Sequence, residues 1–297
     1  DQYYSGYFAW DDVRVATGLD VFGPRVTAQS PTGNVDGPVS SFEVTFSEEI
    51  DASTFAGTDV TVTGPAGNEV ALRATDPVVD SGDHRTFTVF LAAAQSLAGH
   101  YTFTVGPDVR DVAGNVMNQN NDALQGDRYT GSFDLNAQAA VPPVVEGFEA
   151  GTLGGLGAYW SFLQTIGTIE VSNANPHTGQ YALQMGYGSS TYSSHYQEAI
   201  LHVDLLNGTT PLTGVTLDFW VKEYSGTSSS ASVSVSVNGT TWVTPAGGSI
   251  GGNSGYEHYA FNLDSLGLNY SDDVQIRFRH DQYYSGYFAW DDVRVAT

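Results

Sequence analysis

Short runs in which apolar and polar residues alternate recur along almost the whole chain, separated by clusters of Gly, Pro, Asn and Asp. In "DVTVTG" (59–64), Val60 and Val62 alternate with threonines, the period-two pattern of a strand with one buried face. Comparable runs are "SSFEVTFS" (40–47), "EVALRA" (69–74), "RTFTVFL" (85–91), "YTFTVG" (101–106) and "YTGSFDL" (129–135). Turn-forming stretches such as "GPAGN" (64–68) and "DSGD" (80–83) fall between them. About seven short strands in about 110 residues predict a two-sheet antiparallel sandwich over 24–135.

A second series of alternating runs follows: "AILHVDL" (199–205), "GVTLDFWVKEY" (214–224), "SASVSVSVNGTTW" (230–242), "YEHYAFNLDSL" (256–266) and "DVQIRFRH" (273–280). Asn238-Gly239 marks a hairpin. This many strands over 144–297 predict a jelly-roll β-sandwich. The Pro/Ala-rich stretch 136–143, with Pro142 and Pro143, is expected to be an extended, rather stiff linker.

The segment "DQYYSGYFAWDDVRVAT" stands at 1–17 and again, unchanged, at 281–297, an offset of 280 residues. Identity over such a period is a repeat signature. On this reading residues 1–17 are the last strand of a preceding copy's jelly roll, and 18–23 link it to the next unit. They are also a route to partners, either adjacent repeats or subunits of the same protein joined by strand donation.

Two resemblances sharpen the fold class, which is all-β: an Ig-like β-sandwich followed by a jelly-roll β-sandwich. "SPTGNVDGPVSSFEVTFSEEIDASTF" with "LAGHYTFTVGPDVRDVAGNVM" resembles the bacterial Ig-like domains of S-layer and surface proteins. Such a resemblance implies a spacer whose loops sometimes carry calcium. In the second unit, "VEGFEAG", "PHTGQYALQMG", "LDFWV", "VQIRF" and the closing "WDDVRV" are similar to MAM-like and cleaved-adhesin jelly rolls. MAM domains normally carry disulfides and this chain has no cysteine, so the bacterial adhesin-type relatives are the nearer likeness.

Composition narrows the partners. Acidic residues number 33 against 10 basic, a net charge of −23, and Lys222 is the only lysine. That charge opposes nucleic acid and anionic membrane surfaces. No apolar run approaches the ~18–20 residues of a membrane span. Without cysteine, stability must come from the cores and from any bound metal.

The leading chemical candidate is a calcium site where the first and last strands of the jelly roll meet. Glu146 and Glu149 come from "VEGFEAG", and Asp291 and Asp292 from "FAWDDVRV". Strict alternation places Asp291 on the face of Val293 and Val295, at the core edge, with Phe288, Trp290 and Asp292 on the other. A carboxylate aimed at a core edge is costly unless paired or cation-bound, and calcium takes such oxygens. The resemblance implies a structural calcium held by Glu149 and by Asp291 or Asp292. The alternative is a set of solvated strand ends partnered by Arg294 or Arg277. Weaker calcium candidates are Asp76, Asp80, Asp83, Asp111 and Asn115, in loops that Asx hydrogen bonds would also explain.

Tyr187, Tyr192, Tyr196, Tyr283 and Tyr284 are candidate glycan contacts, since aromatic faces beside polar groups stack on sugars. Catalysis has little support: the seven histidines are scattered, with no H-E-x-x-H and no G-x-S-x-G. The sequons at Asn207, Asn238 and Asn269 are short enough to arise by chance. The leading expectation is therefore a non-catalytic, calcium-stiffened repeat unit of an extracellular or cell-surface fibre, stalk or adhesin. A repeated glycan-binding module, or a fibre subunit polymerising through residues 1–17, are the alternatives.

Overall fold

The computed structural model of the protein describes residues 20–188, 195–226, 230–282 and 285–297. Residues 1–17, and with them the expectations about strand donation, lie outside the described residues. The first sandwich is built from β1 (Val26–Ser30), β2 (Gly33–Val35), β3 (Val39–Phe46), β4 (Val60–Thr63), β5 (Val78–Asp80), β6 (Thr86–Gln95), β7 (Gly99–Val105) and β8 (Tyr129–Leu135). One sheet has the order β1-β3-β6-β5 and the other β2-β8-β7-β4, with β2 and β8 parallel. Val60 and Val62 are buried and their threonine neighbours exposed, as the alternation requires. An aromatic core fills the space between the sheets, including Phe42 stacked on Phe103 at 4.0 Å.

The expected strand at 69–74 is a correction. Only isolated bridges form there, Thr63 with Glu69 and Leu72 with Leu91. The edge position is taken instead by β5, which "DPVVD" forms against β6.

The second sandwich contains β9 (Val144–Glu146), β10 (Trp160–Gln164), β11 (Thr168–Ser172), β12 (Ala182–Tyr187), β13 (His195–Val203), β14 (Leu206–Asn207), β15 (Thr210–Pro211), β16 (Thr216–Gly226), β17 (Ser230–Ser236), β18 (Ser249–Ile250), β19 (Glu257–Asn262), β20 (Val274–Gln282) and β21 (Gly286–Ala296). Its sheets run β10-β13-β20-β17-β18 and β11-β12-β21-β16-β19, with β9 also on β21. Inward residues of both sheets, among them Trp160, Phe219, Phe278, Phe288 and Trp290, form one core. The strand β21 is interior, flanked by β12 and β9 on one side and β16 on the other. At Gly286–Ala296, then, the duplicated sequence fills a central position and not a sheet edge.

The stretch 136–143 does not run free between the units. Ala140 bridges to Val203 in parallel, accepting from Asp204 N at 2.8 Å and donating to His202 O at 2.9 Å. The two sandwiches also touch directly. Leu97, from the turn between β6 and β7, is buried in the jelly-roll core, and Ala98 bridges to Ser161 on β10. Gln164 Nε2 donates to Ala66 O at 3.1 Å across the same junction.

Candidate functional site

The acidic end of β21 departs from the simple alternation in an instructive way. Phe288 and Trp290 point into the core, and so do Val293 and Val295, although the two pairs have opposite parity. An extra residue makes this possible. Asp218 opposes Arg294 while Trp220 opposes Asp291, so three steps on β21 match two on β16. Asp292 takes the left-handed backbone of this bulge, φ +51°, a conformation aspartate tolerates better than most residues. The expectation that Phe288 and Trp290 leave the core face is therefore wrong. The bulge turns Asp291 outward, beneath the 176–181 loop.

There Asp291 is fully buried. Its Oδ2 accepts from His177 N at 2.7 Å and Thr178 N at 3.2 Å, and its Oδ1 from Asp292 N at 2.7 Å. Burial pushes this carboxyl above its ordinary range, and the three amide donors offset that only in part. Asp292 accepts from Thr178 Oγ1 at 2.6 Å and pairs with His177 Nδ1 at 2.7 Å. Glu149 holds the same loop, accepting from Gln180 N at 2.9 Å and Tyr181 N at 3.2 Å. Gly179, at φ +63°, is needed because a Cβ would fall 2.1 Å from Glu149 Oε1. Glu146 turns elsewhere, accepting from Phe148 N at 2.8 Å and Trp160 Nε1 at 3.3 Å. The four predicted ligands thus meet protein donors that satisfy them, and no three of them converge on one point among the described residues. Arg277, the suggested ionic partner, lies on the other sheet with Glu198.

A carboxylate cluster does form in the Ig-like unit. One oxygen each from Asp20, Glu48 and Asp111 lie within 4.8 Å of one another. Asp111 is buried and accepts from Asn115 N at 2.8 Å and Asn115 Nδ2 at 2.7 Å; that same Nδ2 also donates to Asp20 O at 3.1 Å. Burial and the two neighbouring carboxylates push Glu48 up. An all-oxygen donor set under mutual repulsion suits calcium. The sequence pointed to Asp111 and Asn115; Asp20 and Glu48 are distant in the chain and carried no local signal.

The other loop candidates are turns. Asp80 accepts from Gly82 N at 2.9 Å and His84 N at 3.1 Å. Asp83 accepts from Arg85 N at 2.9 Å and Thr86 N at 2.7 Å, bonds that hold its carboxyl far below the usual range. Asp76 sits at φ +49° with its carbonyl bound by Arg73.

The outward face of the five-stranded sheet carries a row of large polar and aromatic groups. Glu198 Oε1 is buried between Arg277 Nη1 at 3.1 Å and Arg279 Nη1 at 2.7 Å. The Arg277 guanidinium lies 4.1 Å from the Trp242 ring centre, and that of Arg279 lies 4.3 Å from Tyr196. Arg279 also binds Asp281 Oδ1 at 2.7 Å. Of the predicted glycan contacts, Tyr196 belongs to this row and Tyr187 ends β12, half-buried. Tyr192, Tyr283 and Tyr284 lie outside the described residues. Trp242, Arg277, Glu198 and Arg279 were missed, although "IRFR" places two of ten cations at outward strand positions.

On the same face Ser161 Oγ lies 2.9 Å from His202 Nε2, and His202 Nδ1 lies 2.8 Å from Asp273 Oδ1. The order is that of a hydrolytic triad, but the setting is not. Ser161 sits in mid-strand, paired with Ile200 on one side and bridged to Ala98 on the other. Its backbone is committed to these pairings. The three residues cross-link strands.

Residues 20–130 match the family profile described as Bacterial Ig-like domain. No curated protein matches the chain. Solved structures similar in part include the module TmCBM61 in complex with β-1,4-galactotriose, at 18% identity, covering 50% of this chain and 92% of that one, TM-score 0.35. The xylan-binding domain CBM22-1 from Paenibacillus barcinonensis Xyn10C is 12% identical, covering 53% of this chain and 97% of that one, TM-score 0.35. A structure from work on promiscuous carbohydrate-binding modules of the β-sandwich superfamily is 14% identical, covering 94% and 100%, TM-score 0.37. Among the described residues no helix is long and apolar enough to cross a membrane.

Proposed function

We propose that the chain is a non-catalytic unit of a bacterial extracellular protein. In it an Ig-like spacer presents a jelly roll that binds glycans on the outward face of its five-stranded sheet. The observation that carries this is the row Trp242, Arg277, Glu198, Arg279 and Tyr196. A buried carboxylate between two arginines adds little stability over apolar residues of equal size. It does fix an array of donors and acceptors between two aromatic rings. From Arg277 to Asp281 the row spans four residues of β20, about 13 Å, the scale of a short oligosaccharide. Trp242→Ala and Arg279→Gln should each weaken binding to immobilised polysaccharide at least about tenfold, roughly 1.4 kcal/mol, while the melting temperature holds. Unchanged binding by both folded variants would remove the site.

A second reading, the spacer within a tandem array, is favoured by the duplicated 17-residue segment and by the tight junction between the sandwiches. In that role we assign calcium to Asp20, Glu48 and Asp111, where it would tie the entry to the Ig-like unit onto two of its loops. Calcium should raise the melting temperature of the full chain relative to chelator, and Asp111→Asn should abolish the difference. Equal melting with and without calcium would dismiss the assignment.

A further inference from the structure

The opposite outer face of the jelly roll carries an aromatic layer that its core does not need. Alternation along β16 puts Asp218, Trp220, Lys222 and Tyr224 outward, where a solvated sheet would carry small polar residues. Trp220 is held between His177, at 4.0 Å, and His258, at 4.9 Å. Tyr256 meets His177 edge-on at 4.9 Å, and Tyr224 stacks on Tyr287 at 5.6 Å. Trp220, Tyr224, Tyr256 and Tyr287 are all half-buried, and none belongs to the core between the sheets.

Beside this layer opens a cavity of about 750 Å³ lined by Asn175, Lys222, Glu223, Tyr224, Asn253 and Ser254. Lys222, the only lysine in a chain of net charge −23, sits 4.8 Å from the Tyr256 ring centre. It makes no ion pair among the described residues. The cavity is therefore lined by the Lys222 ammonium, the Asn175 amide, the Asn253 amide, which donates to Glu257 Oε1, and the Ser254 hydroxyl, with the Glu223 carboxylate beside them. Gln184, on the same face, is buried; its Oε1 accepts from Tyr224 OH at 2.6 Å and its Nε2 has no partner. The polar walls oppose an apolar ligand, and Glu223 opposes an anion. Groups that both give and take hydrogen bonds, the vicinal hydroxyls of a neutral sugar, suit the walls, and the Tyr224 ring in the wall suits its carbon face.

We infer that this cavity is a second saccharide site, back to back with the one on the five-stranded sheet. A single jelly roll then bridges two polysaccharide chains. The bridging rests on the glycan-binding reading given above; the cavity stands on its own residues. With the two sheets packed face to face about 10 Å apart, the sites point in opposite directions and cannot engage one short sugar together.

The test is calorimetry of the full chain against neutral gluco-, xylo-, manno- and galacto-oligosaccharides, followed by turbidity with the matching long polysaccharide. The expected result is two sites per chain and a visible precipitate. Lys222→Met and Glu223→Gln each reduce the stoichiometry to one and abolish precipitation, with near-ultraviolet circular dichroism unchanged. Trp242→Ala also leaves one site, the Lys222 one. If Trp242→Ala removes all binding while both cavity variants behave as wild type, the second site is refuted and the first stands. If the cavity variants remove all binding and Trp242→Ala removes none, the first is refuted instead, and with it the bridging. Absence of binding to every oligosaccharide overturns both.

Discussion

His280 shows how one buried side chain makes the jelly roll sensitive to pH. Its strand position points inward, so the ring is buried, with Nδ1 2.8 Å from Gln197 Oε1 and Phe288 packed beside it. Burial disfavours the charged form and lowers the pKa to about 4, below the ~6.5 of an unfolded histidine. Between those values the unfolded chain binds the extra proton and the folded one does not. The stability that the neutral ring permits is fully present above pH ~6.5 and declines as pH falls towards 4, by about 3 kcal/mol in all. Urea unfolding at pH 4.5 and 7 should show this loss in the native chain and a smaller one in His280→Gln. Equal losses in the two would mean that the ring is not the source.

At the scale of elements, the bulge in β21 deserves most weight. The letters "FAWDDVRV" satisfy alternation on either side of the aspartates but not through them. Phe288 and Trp290 fit one register and Val293 and Val295 the other. Had the strand been regular, one of these pairs would have faced solvent. The extra residue lets both enter the core and leaves Asp291 to receive amides from the 176–181 loop. In the same way "EVALRA" has the composition of a strand, but its backbone bonds are divided between β4, at Val62, and β6, at Phe90 and Ala92. Pairing decides, and pairing is not local.

For the whole molecule, the two sandwiches meet at a junction built on one buried side chain and a few backbone bonds. Leu97 leaves its own sandwich and is buried in the neighbouring core, while Tyr101 OH holds its carbonyl at 2.8 Å. Within 136–143, Asn136 N donates to Val35 O, Gln138 N to Ala158 O and Ala140 N to His202 O, so the stretch is tied to both sandwiches. Leu97→Ala should cost about 2–5 kcal/mol at the junction. By calorimetry, the native chain should unfold in one transition and the variant in two. A single unshifted transition in the variant would show that the units are not coupled through this contact.

The sequence by itself determined the strand-rich class, the division into two sandwiches, most strand positions and the 280-residue offset of the duplicated segment. These are legible because the period of two and the turn residues are properties of neighbours in the chain. It also marked Asp111 and Tyr196 as residues with chemistry to offer. Only the tertiary structure decided which groups meet. Asp20 joins Glu48 and Asp111, Trp242 comes to lie over Arg277, and the acids of β21 are taken by a loop more than a hundred residues away. Such meetings depend on sheet order, on one bulge and on the packing of two domains, and none of these leaves a pattern in adjacent letters. A site built from the outward faces of several strands is written in the fold, because each strand supplies only one or two of its residues.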